Sequence, residues 1–188
     1  MKQFLFHISF LSLLLLGSAT FAQDSTATGP VVNDSIKLNR VILDTNIDKA
    51  ILYGYCTEDG IRTSPIFSNY WEQQYPDYEP NLSFLETLSD SLMKVHIVVV
   101  FGSWCPDSQR EVPRMMRILD ELNYPLDSLT IIAVNRMKTV DDIDMHRYTI
   151  EFVPTFIFYK NGFEIGRIVE MPTQSLEDDI ASILMRGF

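Results

Sequence analysis

Residues 95 to 101 read VHIVVVF, largely apolar and β-branched, with no regular alternation of polar and apolar positions. A strand of that kind has to be covered on both faces, so it belongs in the middle of a sheet between two layers. No other feature restricts the fold as strongly, and the segments C-terminal to it narrow the choice further. From 106 to 123 the residues Val112, Met115, Met116, Leu119 and Leu122 recur at the spacing of an amphipathic helix. Pro106 suits the first turn, where no intrahelical N–H bond is lost, and Pro113 falls mid-helix, where a kink is expected.

Residues 129 to 134 (LTIIAV) predict a second buried strand, and 141 to 149 a short helix of only fair apolar spacing. Two further apolar runs, 155 to 159 and 163 to 169, are separated by Lys160-Asn161-Gly162. Asn-Gly between apolar runs predicts a hairpin. Residues 173 to 185 close the chain as a helix with Leu176, Ile180, Ile183 and Leu184 on one side. This order predicts an α/β fold: a mixed central sheet, two parallel strands and an antiparallel hairpin, with helices on both faces.

The chain before residue 95 divides into three. Residues 1–22 carry Lys2, an apolar centre from 11 to 16 and a small-residue end, Thr20-Phe21-Ala22. That is the pattern of a secretory signal peptide. It predicts a periplasmic or secreted protein starting near Gln23, with no membrane span in the mature chain. Residues 23–33 (QDSTATGPVVN) read as a flexible leader. Residues 34–94 read as a largely helical extension packed on the main domain at 95–188. Within it, Phe67, Tyr70, Trp71 and Tyr75 form an aromatic stripe expected to be a buried helix face. Asn81 is a candidate cap for a helix over 82 to 93.

Twenty-five acidic against fifteen basic residues leave a net charge of −10, which argues against nucleic acid as a partner. There is no glycine-rich phosphate loop, and neither cysteine sits in a ligand-spaced cluster with His96 or His146, so no metal or cofactor is expected. His96 and His146 have no visible link to either cysteine and read as structural or solvated.

The run Trp104-Cys105-Pro106-Asp107-Ser108 comes directly after the apolar strand. Together with Pro113, Val153-Pro154-Thr155 and the subsequent Phe-x-Phe-Tyr-Lys-Asn-Gly, it resembles the thioredoxin superfamily over most of 95 to 186. The full pattern looks like exported thioredoxin-like proteins of Bacteroidetes-type bacteria. The resemblance implies a thioredoxin-like fold, a nucleophile at Cys105, and a substrate groove formed by Trp104, Pro106, Val153 and a cis Pro154. Its partners would be protein or small-molecule thiols and disulfides. Three departures stand out. Ser108 replaces the resolving cysteine, Val99 replaces a buried carboxylate, and Glu170 replaces a glycine beside the groove.

A cysteine that opens a helix is favoured as thiolate. Ser108 is placed to donate a hydrogen bond to its sulfur, Asp107 opposes the charge, and Arg110 offsets Asp107. Export permits a disulfide, so Cys56 is either a small buried residue or a resolving partner, with Cys105 expected to be free or only transiently paired. Two functions therefore stand side by side: thiol–disulfide exchange through the single nucleophile Cys105, or a non-catalytic module that holds extended peptide at the Trp104/Pro154 groove.

Overall fold

The computed structural model describes residues 37–187. The signal peptide and leader expected at 1–22 and 23–33 lie outside the described residues. Six strands form one sheet in the order β1-β2-β4-β3-β5-β6: β1 Arg40–Asp44, β2 Lys49–Cys56, β3 His96–Phe101, β4 Leu129–Ala133, β5 Thr155–Lys160 and β6 Phe163–Val169. Only β3 and β4 are parallel to each other. The remaining pairs are antiparallel. The continuous apolar run is β3, held between β4 and β5, with Val99 opposite Ile131 on one side and Phe156 on the other.

Residue alternation along the strands sorts the core into two faces. Ile97, Val99 and Phe101 face one side, where they meet Val112, Met115 and Leu119 of α4 (Pro106–Glu121) and Ile180 and Leu184 of α5 (Leu176–Gly187). Val98 and Val100 face the other side, covered by Val140, Ile143, Met145, Tyr148 and Val153. The helix expected over 141 to 149 is reduced there to one 3₁₀ turn, Met145–Tyr148. The described α-helices contribute their buried residues to the first face, so the second is covered largely by loop.

The hairpin closes as its sequence demands. Lys160 pairs with Phe163, and the two residues between them take positive φ, 51° at Asn161 and 82° at Gly162. Paired positive φ values match the right-handed strand twist, and Asn-Gly tolerates them best.

The described part of 34–94, residues 37–94, differs most from expectation. It is not largely helical: β1 and β2 fall within it, and β2 pairs antiparallel with β4 inside the main sheet. The sheet therefore runs across the domain boundary expected at residue 95. These strands escaped notice because their hairpin, Thr45 to Asp48, lacks an Asn-Gly signal. The aromatic segment forms a short helix, α2 (Ser68–Gln74), which comes after α1 (Glu58–Thr63). Phe67 and Trp71 are buried, and the Phe67 ring meets Phe101 edge-on at 5.5 Å. Each buried aromatic contributes about 1.5–3 kcal/mol. The helix expected over 82 to 93 breaks into a 3₁₀ turn, Leu85–Leu88, and one turn of α3, Ser89–Leu92. Ser83, Thr87, Ser89, Asp90 and Ser91 offer the backbone competing side-chain bonds, and Thr87 Oγ1 takes one of them, donating to the Phe84 carbonyl. Leu85 and Leu92 are still buried.

Candidate functional site

The turn from β3 into α4 presents Cys105. Three local bonds hold it: Cys105 N–H donates to the Gly102 carbonyl at 2.8 Å, Gln109 N–H to the Cys105 carbonyl at 2.9 Å, and Gln109 Nε2 to the Ser103 carbonyl at 2.8 Å. The buried Ser103 Oγ accepts from Leu52 N–H at 3.0 Å and ties the turn to β2. Gly102 is required here, because a Cβ on it would stand 2.6 Å from the Trp104 ring. Cys105 is the N-cap of α4, in extended backbone with Pro106 in the first turn.

Cys105 is 8% exposed and unbridged, and its sulfur donates to the Val153 carbonyl at 3.1 Å. The Val153–Pro154 peptide bond is cis. Trp104, Cys105, Arg136, Lys138, Phe152, Val153 and Glu170 enclose a cavity of about 230 Å³. The structure thus brings Trp104, Cys105 and Val153 together, with Pro106 and Pro154 beside them in the chain.

Ser108 does something other than expected. It is fully buried, and its Oγ accepts from Gly102 N–H at 3.2 Å, so it bonds the turn rather than the sulfur. The hydroxyl faces the turn because Gly102 would otherwise leave a buried donor unpaired. Asp107 is paired as expected, with Arg110 at 2.9 Å, and Arg110 also binds the buried Glu111 at 2.5 Å. Val99 is wholly buried in the helix-side core.

Cys56 is not brought to Cys105. It packs in the helix-side core, whereas Cys105 belongs to the other face. Cys56 is also level with Ile131 and Val99, well short of the strand end from which Cys105 emerges. Its thiol donates to the Gly54 carbonyl at 3.6 Å, and burial pushes its pKa up to about 12. Both cysteines are free.

Sequence reasoning missed Arg136. Its guanidinium lies 4.5 Å from the centre of the Trp104 ring, while the Trp104 indole N–H donates to the Val134 carbonyl at 3.0 Å. Arg136 is placed from the far edge of the sheet: its N–H donates to the buried Asp44 carboxylate at 3.0 Å. Asn46 N–H and Nδ2 bind the same carboxylate at 2.9 and 3.0 Å. The Arg136 amide is the main reason the Asp44 pKa is held below its ordinary value. A stacked cation beside an aromatic ring strengthens the fixed ring position. Nothing local in the sequence couples residues 44, 104 and 136. Glu170 takes φ 59°, a left-handed conformation natural to glycine, while its N–H bonds the Pro154 carbonyl at 2.7 Å.

Among the described residues no group of three or more His, Cys, Asp or Glu is placed to hold a metal ion, and no helix is long and apolar enough to cross a membrane.

A free cysteine at a helix start, set against a strand that begins after a cis-proline, defines a thiol-bearing α/β domain. The thioredoxin family model matches residues 79–182, and the chain belongs to that family. A curated relative, the chloroplastic thioredoxin Y of Oryza sativa subsp. japonica, is 31% identical over 103 residues, which cover 54% of this chain and 58% of that protein. The chain thus spans less than two thirds of that relative's length. Among solved structures, the Fasciola hepatica thioredoxin is 17% identical, over 55% of this chain and 90% of that one, with a TM-score of 0.36. The Aeropyrum pernix thioredoxin is 20% identical, over 52% and 82%, with a TM-score of 0.37.

Proposed function

We propose that this protein carries out thiol–disulfide exchange after export, with Cys105 as lone nucleophile and an external thiol as the resolving group. The observation that carries the reading is the placement of Cys105. Cys105 stands at the N-cap position of α4, and its unbridged sulfur lines a cavity beside Trp104 and Val153. In the first step the Cys105 thiolate attacks one sulfur of a substrate disulfide R–S–S–R′. The Cys105–S–S–R bond forms as the substrate S–S bond breaks, and R′–S⁻ leaves and takes up a proton. A second thiolate then attacks the mixed disulfide, carries R away as a new disulfide, and returns Cys105 as thiolate.

Ser108 has no sulfur to supply that second step. Cys56 is equally unsuited, since it faces the opposite core and its thiol stays protonated at neutral pH. Family membership supports protein thiols and disulfides as partners. Export rests on the pattern of residues 1–22 alone.

The test is a stoichiometric reaction with an aryl disulfide. One equivalent of aryl thiolate should be released, peptide mass mapping should place the adduct on Cys105, and the adduct should persist until a small thiol is added. An adduct that discharges without added thiol, or no adduct on Cys105, refutes the mechanism. The second result would leave a peptide-binding module in its place.

A further inference from the structure

The crossover from β4 to β5 covers only part of the second sheet face, because it carries one 3₁₀ turn where a longer helix would extend further. The uncovered part is a cavity of about 590 Å³ at the opposite end of β3 from Cys105. His96 opens β3 and Cys105 lies just past its end, so roughly 20 Å of strand and turn separates the two places. Val98 and Thr130, neighbours across β3 and β4, make the floor. Tyr148 closes it from the crossover, and Tyr55 and Tyr159 flank it from β2 and β5.

Two observations point to the chemistry of an occupant. The first is charge. In a chain of net charge −10, the lining contains Lys94 and Arg147 and no carboxylate. Among the described residues neither cation is in an ion pair; Arg147 lies 5.2 Å from the Tyr148 ring centre. The second is the surplus of aromatic surface and donors. Three tyrosine rings line one cavity, and their hydroxyls make no hydrogen bond among the described residues. His96 is held by Thr130 at 2.9 Å. Ligand cavities of 300–1,000 Å³ typically combine apolar or aromatic walls with a few polar groups that fix orientation.

We propose that this pocket binds a small aromatic carboxylate, its ring over Val98 and Thr130 against Tyr148 and its carboxylate drawn to Lys94 and Arg147. Ring contact supplies area, and charge-assisted hydrogen bonds select the anion. The site needs no part of the Cys105 chemistry and is independent of it.

The probe is 2-naphthoate, titrated into the full folded chain. Its fluorescence anisotropy reports binding, and the imidazole proton signals of His96 report place. Saturable binding is expected with a shift of the His96 signals, and the uncharged 2-naphthamide should bind at least about tenfold more weakly. Lys94 and Arg147 are exposed, so K94Q and R147Q should fold normally, each weakening naphthoate about fivefold. C105S should bind as the wild type does. Equal affinity for the amide, no effect of K94Q with R147Q, or an unmoved His96 each overturns the proposal. So does displacement of naphthoate by inorganic phosphate at similar concentrations, which would mark a site for charge alone.

Discussion

Replacing Ser108 by cysteine tests both the structure of the turn and the proposed mechanism. Ser108 is fully buried and its Oγ accepts the Gly102 N–H at 3.2 Å. Sulfur is a weak acceptor, so S108C leaves a buried amide poorly paired, at a cost of about 1–2 kcal/mol in the reduced protein. The new thiol sits three residues after Cys105 on the same helical turn, where Cβ atoms are about 5–6 Å apart. A disulfide needs about 3.5–4.5 Å, so a small local shift closes it. Once a mixed disulfide forms on Cys105, the neighbouring thiol acts at an effective concentration of millimolar or more. Against an external thiol at about 0.1 mM, release should then be at least about tenfold faster. The gain stays incomplete because Val99, fully buried among apolar neighbours, provides no proton acceptor. Insulin reduction at limiting dithiothreitol measures the rate, and urea melting of the reduced protein measures the cost. If S108C forms its bridge by mass yet reduces insulin no faster than the wild type, release already runs through some other group. An unchanged urea midpoint would show that the Gly102–Ser108 bond contributes nothing.

The two cysteine environments and the Asp44 anchor lead to two further outcomes. Native protein treated with iodoacetamide at pH 8 should be modified at Cys105 and spared at Cys56, whose pKa burial raises to about 12; comparable labelling of Cys56 in the folded state would contradict that raised pKa. Asp44→Ala removes an acceptor shared by Arg136 N–H and two Asn46 donors, and should cost about 1–2 kcal/mol at pH 7. Because the folded Asp44 carboxyl is held below its ordinary value of about 3.9, its contribution is in place above about pH 4 and is lost as pH falls through the lower folded value. Denaturation curves of variant and wild type should therefore converge on acidification, and a gap undiminished at pH 2 would refute the assignment.

Much of the fold was legible in local pattern. The β3 run, the helical spacing of α4, and Asn161-Gly162 each state their conformation through neighbouring residues, because side-chain period and turn dihedrals are properties of adjacent positions. Cys105 at a helix start was legible for the same reason, since Pro106 marks the first turn. Where local signals weakened, so did the reading. Residues 40–56 are strands because β4 offers an edge to pair with, and no turn signal announced it. Ser108 bonds Gly102 because the turn folds back over the helix start. The register of β2 sets the face of Cys56, where one residue of shift would exchange the faces, while Cys105 stands past the end of β3 at the start of α4. Likewise Asp44, Arg136 and Trp104 meet only because β1 and the end of β4 come together at one end of the sheet. Periodicity reports which side of an element is buried; which other element lies against that side is decided by packing over the whole chain.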